Sequence, residues 1–270
     1  MYWPTVVRRL DGVKAPCYNM STAMSGHSKW STIKRQKGAT DAKRSQIFTK
    51  LGREIAVAAK QGADPEANSR LRLAIERARA QNMPKDTIER AIKKASGEGG
   101  AAALEEIVYE GYGPGGAAIL VEALTDNRNR TVSDIRYAFS NAGGSLGEAG
   151  SVAWQFDTRG VIALESNGAD TEDLALRAID TGADDVKVDD DVVEVHTQPE
   201  SLEAMRRQLE EAGLPVASVE IMKVPKNSVP LDEHQARQVL RLLDSLDELD
   251  DIQRVSSNAD FPEDVLAAYA

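Results

Sequence analysis

Six cationic side chains lie within sixteen residues of one another: Lys29, Lys34, Arg35, Lys37, Lys43 and Arg44, with Trp30 among them. A cation run that contains an aromatic residue has a specific chemical use. The charges neutralise phosphates, and an indole face stacks on a base or sugar. Packed inward, Trp30 would instead plug a helical bundle. Lys50, Lys85, Arg90, Lys93 and Lys94 extend the pattern. These twelve residues form the candidate nucleic-acid-binding set.

Other chemistries are poorly served. Acidic clusters occur at Asp184-Asp185, Asp189–Asp191 and Asp247-Glu248 with Asp250-Asp251. They could hold a metal for a nuclease, but none is paired with a general base at a useful spacing, and turns and helix ends account for them. The Asp189–Asp191 run lacks the spacing of a calcium loop. Gly143-Gly144-Ser145-Leu146-Gly147 has the letters of a nucleophile elbow. It follows a helical pattern rather than a strand, and no His–Asp partner set accompanies it. The run Gly111-Tyr112-Gly113-Pro114-Gly115-Gly116 lacks the Gly-Lys-Ser/Thr of a phosphate loop and reads as a hairpin turn. The single Cys17 and three scattered histidines, His27, His196 and His234, cannot build a disulfide or a Cys/His zinc site. The expectation is a non-enzyme with no cofactor and no metal.

Charge is distributed unevenly. The net charge of the chain is −10, which alone would argue against a polyanionic partner. Residues 25–97, however, carry 17 Lys and Arg against 7 Asp and Glu, and residues 98–270 carry 13 against 35. The basic part can meet a polyanion. The acidic part repels one, holding it at a distance, or faces a basic partner. The apolar runs, such as Ala117–Val121 and Val161–Leu164, are far shorter than the roughly 20 residues a membrane helix needs. A membrane role is therefore not expected.

The elements that must position these residues follow from periodicity. Residues 1–24 show no sustained period and no secretory apolar core, and read as a disordered extension with Met24 the expected initiator. Residues 25–98 read as a basic three-helix domain. Ile47, Phe48, Leu51, Ile55 and Ala58 have helical spacing to about Gly62. A second helix is expected from Asp64-Pro65 with Leu71, Ala74, Ile75 and Ala78 inward. A third follows Asn82-Met83-Pro84 with Ile88, Ala91, Ile92 and Ala95. Beyond residue 98 the pattern is α+β. Strands are expected at Glu106–Glu110, Ala117–Leu124 and Ser151–Phe156, with a helix over Thr131–Ala142. Residues 158–224 read βαββαβ, a ferredoxin-like unit. Helix Asp232–Leu246 and strand Ile252–Val255 then return to complete the earlier sheet. The expected architecture is an N-terminal three-helix domain plus two α/β domains. The middle one comprises 99–157 plus 225–262, and the ferredoxin-like one, 158–224, is inserted in it.

Several long motifs occur in order. They are Gly26-His27-Ser28-Lys29-Trp30, Asn82-Met83-Pro84-Lys85-Asp86 with Arg90-Ala91-Ile92-Lys93-Lys94, Tyr109–Gly116, and Leu124-Thr125-Asp126-Asn127-Arg128-Asn129-Arg130-Thr131. With them the chain closely resembles the YebC/PmpR family from about Met24 to Pro262. The resemblance implies three domains around a cleft and a cytoplasmic protein. It implies a DNA-binding transcriptional regulator; mitochondrial relatives are translational activators, and bacterial members are linked to ribosomes stalled on proline-rich stretches. The alternative it carries is a ribosome-associated translation factor on rRNA or tRNA. Two departures stand out. Phe139-Ser140-Asn141-Ala142-Gly143-Gly144 lacks a lysine the family often has, which puts a phosphate contact from that loop in doubt. Ser257-Asn258-Ala259-Asp260 replaces a more aromatic stretch, so looser packing is expected there.

Overall fold

The structure is a computed structural model that describes residues 41–95, 104–166, 168, 170–189 and 192–269. The extension 1–24 and the arm bearing Lys29, Trp30, Lys34, Arg35 and Lys37 lie outside the described residues, as do Asp190 and Asp191.

Three helices make the first domain: α1 (Asp41–Ala59), α2 (Ser69–Ala80) and α3 (Lys85–Ala95). Their apolar stripes meet in one core of Leu51, Ile55, Ala58, Leu71, Ala74, Ile75, Ala78, Met83 and Ile88. The second helix starts later than Asp64-Pro65. Asp64 instead closes a turn, its carbonyl accepting from the Ala67 and Asn68 amides. Asn68 is the N-cap, accepting from Leu71 N at 3.0 Å, and its Nδ2 donates to the carbonyls of Ala58 and Gly62. One carboxamide thus caps α2 and ties it to α1, which a proline in the first turn could not do.

The middle domain is built on the hairpin β1 (Glu105–Tyr112) and β2 (Ala118–Thr125), paired in register from Glu105↔Thr125 to Tyr112↔Ala118. The glycine run is the turn, with Gly115 and Gly116 at positive φ. Then come α4 (Arg128–Asn141) and the short β3 (Ser145–Leu146), which pairs with β1. The segment expected as a strand from Ser151 is instead a single 3-10 turn at Ala153–Gln155. The strand β4 (Phe156–Glu165) starts only after it and runs unbroken into the ferredoxin-like unit.

That unit continues with α5 (Thr171–Asp180), β5 (Asp185–Asp189), β6 (Val192–Thr197), α6 (Leu202–Glu211) and β7 (Val216–Pro225). Its sheet order is β5-β6-β4-β7, all antiparallel. Ile162, Leu164, Val193 and Val195 face Leu174, Ala178, Leu202, Met205 and Leu209 of the two helices. The chain then returns through β8 (Val229–Pro230), α7 (Glu233–Asp247), β9 (Ile252–Ser257), β10 (Ala259–Asp260) and α8 (Glu263–Tyr269). Strand β9 pairs antiparallel with β2, giving the order β3-β1-β2-β9. The ferredoxin-like unit is therefore an insertion between the two halves of the middle domain. The middle core joins β2 and β9 to α4, α7 and α8 through Ile119, Val121, Phe139, Leu240, Leu243, Val255 and Val265.

Packing around Ser257-Asn258-Ala259 is not loose. All three are buried. Asn258 Oδ1 accepts from Ala118 N at 2.7 Å, and its Nδ2 donates to Gln155 Oε1 at 3.0 Å. The polar side chain supplies hydrogen bonds where aromatic area would have supplied contact. On β1, between β3 and β2, a Cβ on Gly111 would lie 2.6 Å from Phe139 Cε1 and 2.7 Å from the Ser145 carbonyl oxygen. Gly111→Ala is expected to cost about 1–3 kcal/mol by overpacking, measured as a lower melting temperature. An unchanged melting temperature would show that both the Phe139 ring and the Ser145 carbonyl have room to retreat.

Candidate nucleic-acid interface

The cations of the first domain divide into two groups. One group faces the other domains. Lys50 donates to the Asp247 carbonyl and pairs with the Asp247 carboxylate at 3.5 Å. Arg53 pairs with Asp251 at 2.7 Å, Arg70 with Glu106 at 2.6 Å, and Arg77 with Glu220 at 3.6 Å. Lys60 donates to the Leu104 carbonyl. Thus Lys50, a member of the candidate set, is half-buried in a joint and already engaged. Some carboxylates of the acidic remainder thus face the chain's own basic first domain.

The second group faces solvent. Arg44 is exposed on the first turn of α1, and Lys85, Arg90, Lys93 and Lys94 are exposed on α3. Lys43 lies on α1 with its side chain outside the described residues. Arg90, Lys93 and Lys94 stand at i, i+3 and i+4 and so share one face of α3. Arg90 is held by its own helix, with Nε donating to the Asp86 carbonyl at 3.1 Å and Nη2 to Thr87 Oγ1 at 3.2 Å. Lys85 sits 3.7 Å from Glu89. The acidic first turn and basic last turn of α3 also suit its dipole. The exposed face holds Lys and Arg and no Asn or Gln. It can grip phosphates but has no side chain for bidentate reading of adenine.

Sequence reasoning missed the polar joint between the domains. Asp251 lies just before β9 and is buried. Its Oδ1 accepts from Arg53, and its Oδ2 accepts from Arg130 Nη2 at 2.8 Å and Thr131 Oγ1 at 2.7 Å. Thr125 Oγ1 completes the shell, 2.8 Å from Thr131 Oγ1. Burial pushes the Asp251 carboxyl up; the hydrogen bonds from Arg130, Thr131 and Arg53 outweigh that push and hold it below the ordinary aspartate value. A cleft of about 330 Å³ opens beside it, lined by Arg53, Arg130, Asp126, Asp134, Asp250 and Asp251 among others. Four carboxylates against two guanidiniums give a phosphate no net attraction. The motif Leu124–Thr131 held the signal, because its Thr125, Arg130 and Thr131 are the Asp251 partners.

A second charged junction joins all three domains. Glu220 of β7 lies 3.3 Å from Arg254 of β9 and 3.6 Å from Arg77 of α2, and Arg77 donates to Glu54 of α1 at 2.7 Å. Burial and the nearby Arg77 charge lower the Arg254 pKa. Among the described residues, no group of three or more His, Cys, Asp or Glu is placed to hold a metal ion, and no helix is long and apolar enough to cross a membrane.

Comparison with known proteins adds to this geometry. The family model for the TACO1/YebC N-terminal domain matches residues 28–98, and that for the TACO1/YebC second and third domain matches residues 104–259. The chain belongs to the TACO1/YebC family. A relative from Dehalococcoides mccartyi, named a probable transcriptional regulatory protein, is 59% identical over 247 residues, covering 91% of this chain and 98% of its own. A protein of the same name from Thermomicrobium roseum is 56% identical over 247 residues, covering 91% and 100%. The crystal structure of a conserved hypothetical protein from Aquifex aeolicus matches with a TM-score of 0.77 at 45% identity, covering 83% of this chain and 93% of that one. The boundary between the two TACO1/YebC models falls at residues 98–104, after the basic helices end.

Proposed function

We propose that this protein is a nucleic-acid-binding regulator of gene expression without enzymatic activity, acting in the cytoplasm, with DNA as its partner. The observation that carries this reading is the solvent face of α3. Lys50, Arg53, Arg70 and Arg77 are spent on other domains, whereas Arg90, Lys93 and Lys94 share one exposed face. The names of the relatives support a regulatory role. With the arm cations Lys29, Lys34, Arg35 and Lys37, this face would track a phosphate backbone, while most of the acidic surface is kept away by repulsion. The absence of Asn and Gln from α3 supports a second reading. A surface that reads backbone and shape serves rRNA or tRNA on the ribosome as readily as duplex DNA.

The test is the salt dependence of binding. Removing one cation that neutralises a phosphate flattens the slope of log K against log salt by about 0.9 on duplex DNA. Replacing Lys85, Arg90, Lys93 and Lys94 together with alanine is expected to flatten it by up to about 3.6 and to weaken all duplex sequences alike. The fold should survive, because all four are exposed. Wild-type affinity and slope in this variant would overturn the assignment of α3. Sedimentation of lysate with and without RNase separates the two readings: co-migration with ribosomes that RNase abolishes favours translation.

A further inference from the structure

We propose that the loop between β3 and β4 carries a base-stacking point for single-stranded nucleic acid, made by Trp154 and Tyr112. This deepens the nucleic-acid reading, on which it rests, and places a contact in the acidic part of the chain.

The indole of Trp154 is 66% exposed, while its neighbours Val152 and Phe156 are buried against Ala118 and Leu120 of β2. The loop is thus anchored on both sides of a residue that it holds out to water. Its orientation is also fixed. Trp154 Nε1 donates to the Ser151 carbonyl at 3.1 Å, and Tyr112 Oη donates to the same oxygen at 2.8 Å. That carbonyl is held in turn by its surroundings. The buried Glu110 carboxylate accepts from the amides of Gly150, Val152 and Ala153, each at 2.7 Å. A Cβ on Gly147 would lie 2.5 Å from Ser151 Oγ, so the loop closes tightly on itself. An exposed aromatic ring with its rotamer already fixed loses little entropy when a flat partner stacks on it.

Charge selects the partner. Residues 98–270 carry 13 basic against 35 acidic side chains, yet the loop of Trp154 and the strands beside it, 147–160 and 222–228, hold Arg159, Lys223 and Lys226 against Glu148 and Asp157. Lys226 Nζ donates to the Trp154 carbonyl at 2.8 Å and lies 3.3 Å from Asp157. Lys223 reaches Thr158 Oγ1 on the paired strand, and Arg159 divides between Asp157 and Asp184. Lys226 and Lys223 therefore stand where the phosphates flanking a stacked base would run. Bases in a duplex are already stacked on each other, so the ligand is single-stranded.

The test uses the full chain and two labelled probes, a dodecamer of uridine and a duplex of the same length. Trp154→Ala is expected to weaken oligo(U) binding by about 5- to 150-fold, the range for losing one base stack. Duplex affinity and melting temperature should stay at wild-type values. Trp154→Phe, which keeps a π face, should retain most of the oligo(U) affinity. Wild-type oligo(U) binding by Trp154→Ala overturns the proposal, as does an equal loss on both probes. A wild-type protein that binds duplex but not oligo(U) also overturns it. The quadruple α3 variant separates this from the reading it rests on. If that variant keeps duplex affinity while Trp154→Ala loses oligo(U), the α3 assignment fails and the stacking point stands.

Discussion

Asp251→Asn is expected to destabilise the protein by about 3 kcal/mol, the lower end of the range for breaking a buried ion pair. The lower end applies because Arg53 and Arg130 both reach water, with side chains 23% and 46% exposed. The amide keeps one acceptor and turns a donor toward two guanidiniums and two threonine hydroxyls. The loss falls on a joint, because Arg53 belongs to α1 and Arg130 to α4. The measurement is the urea midpoint, and the pH dependence identifies the cause. The folded pKa of Asp251 is depressed. Its contribution is complete above the unfolded aspartate pKa of about 4 and is lost as pH falls through the lower folded value. The wild type should therefore lose stability on acidification below about pH 4, and the asparagine variant should lack that share of the acid limb. An unchanged urea midpoint, or superimposable acid limbs, would refute this account of the joint.

The same residue shows what a sequence can reveal and what it hides. The ferredoxin-like unit and the returning helix α7 were legible because each buries an apolar face with a regular period, and the period survives in the sequence. Helix α7 is such a case, with Ala236, Val239, Leu240, Leu243 and Leu246 all buried. The partner of a cation leaves no such trace. Lys50 and Arg90 are alike as letters on amphipathic helices. One meets Asp247, 197 residues away, and the other faces water. Only the docking of α1 against the end of α7 separates them. Local chemistry misled in a second way. Asp64-Pro65 has the letters of a helix start, but Asn68 forms the better cap because it also bonds to the preceding helix. Val152, Ala153 and Phe156 resemble strand residues, yet the amides of Val152 and Ala153, with that of Gly150 before them, are taken by a single carboxylate on β1, and the strand begins only at Phe156. The helix α8, beyond the expected end of the middle domain at 262, adds Val265 and Leu266 to the core.

Glu110→Gln should produce the other large effect. Glu110 sits in β1, buried, with both oxygens committed to the amides of Gly150, Val152 and Ala153. Burial raises its pKa, and the three amide hydrogen bonds outweigh that and hold it below the ordinary glutamate value. An amide side chain of the same shape keeps one acceptor and points an NH2 at donors. At least one amide, with the glutamine NH2 facing it, is left unsatisfied, at about 1–3 kcal/mol for each buried group. The expected loss is about 2–6 kcal/mol, accompanied by faster hydrogen exchange at Gly150, Val152 and Ala153. The consequence for binding is more specific. Glu110 touches no ligand in the stacking arrangement, yet it fixes the loop whose Ser151 carbonyl orients both Trp154 and Tyr112. Freeing that loop adds an ordering cost to every stacked base. Oligo(U) affinity should fall in Glu110→Gln while duplex affinity, carried by α3 on the other side of the joint, should not. A variant that loses stability and loop protection but keeps full oligo(U) affinity would show that the indole needs no fixed loop, and that the carboxylate serves the fold alone.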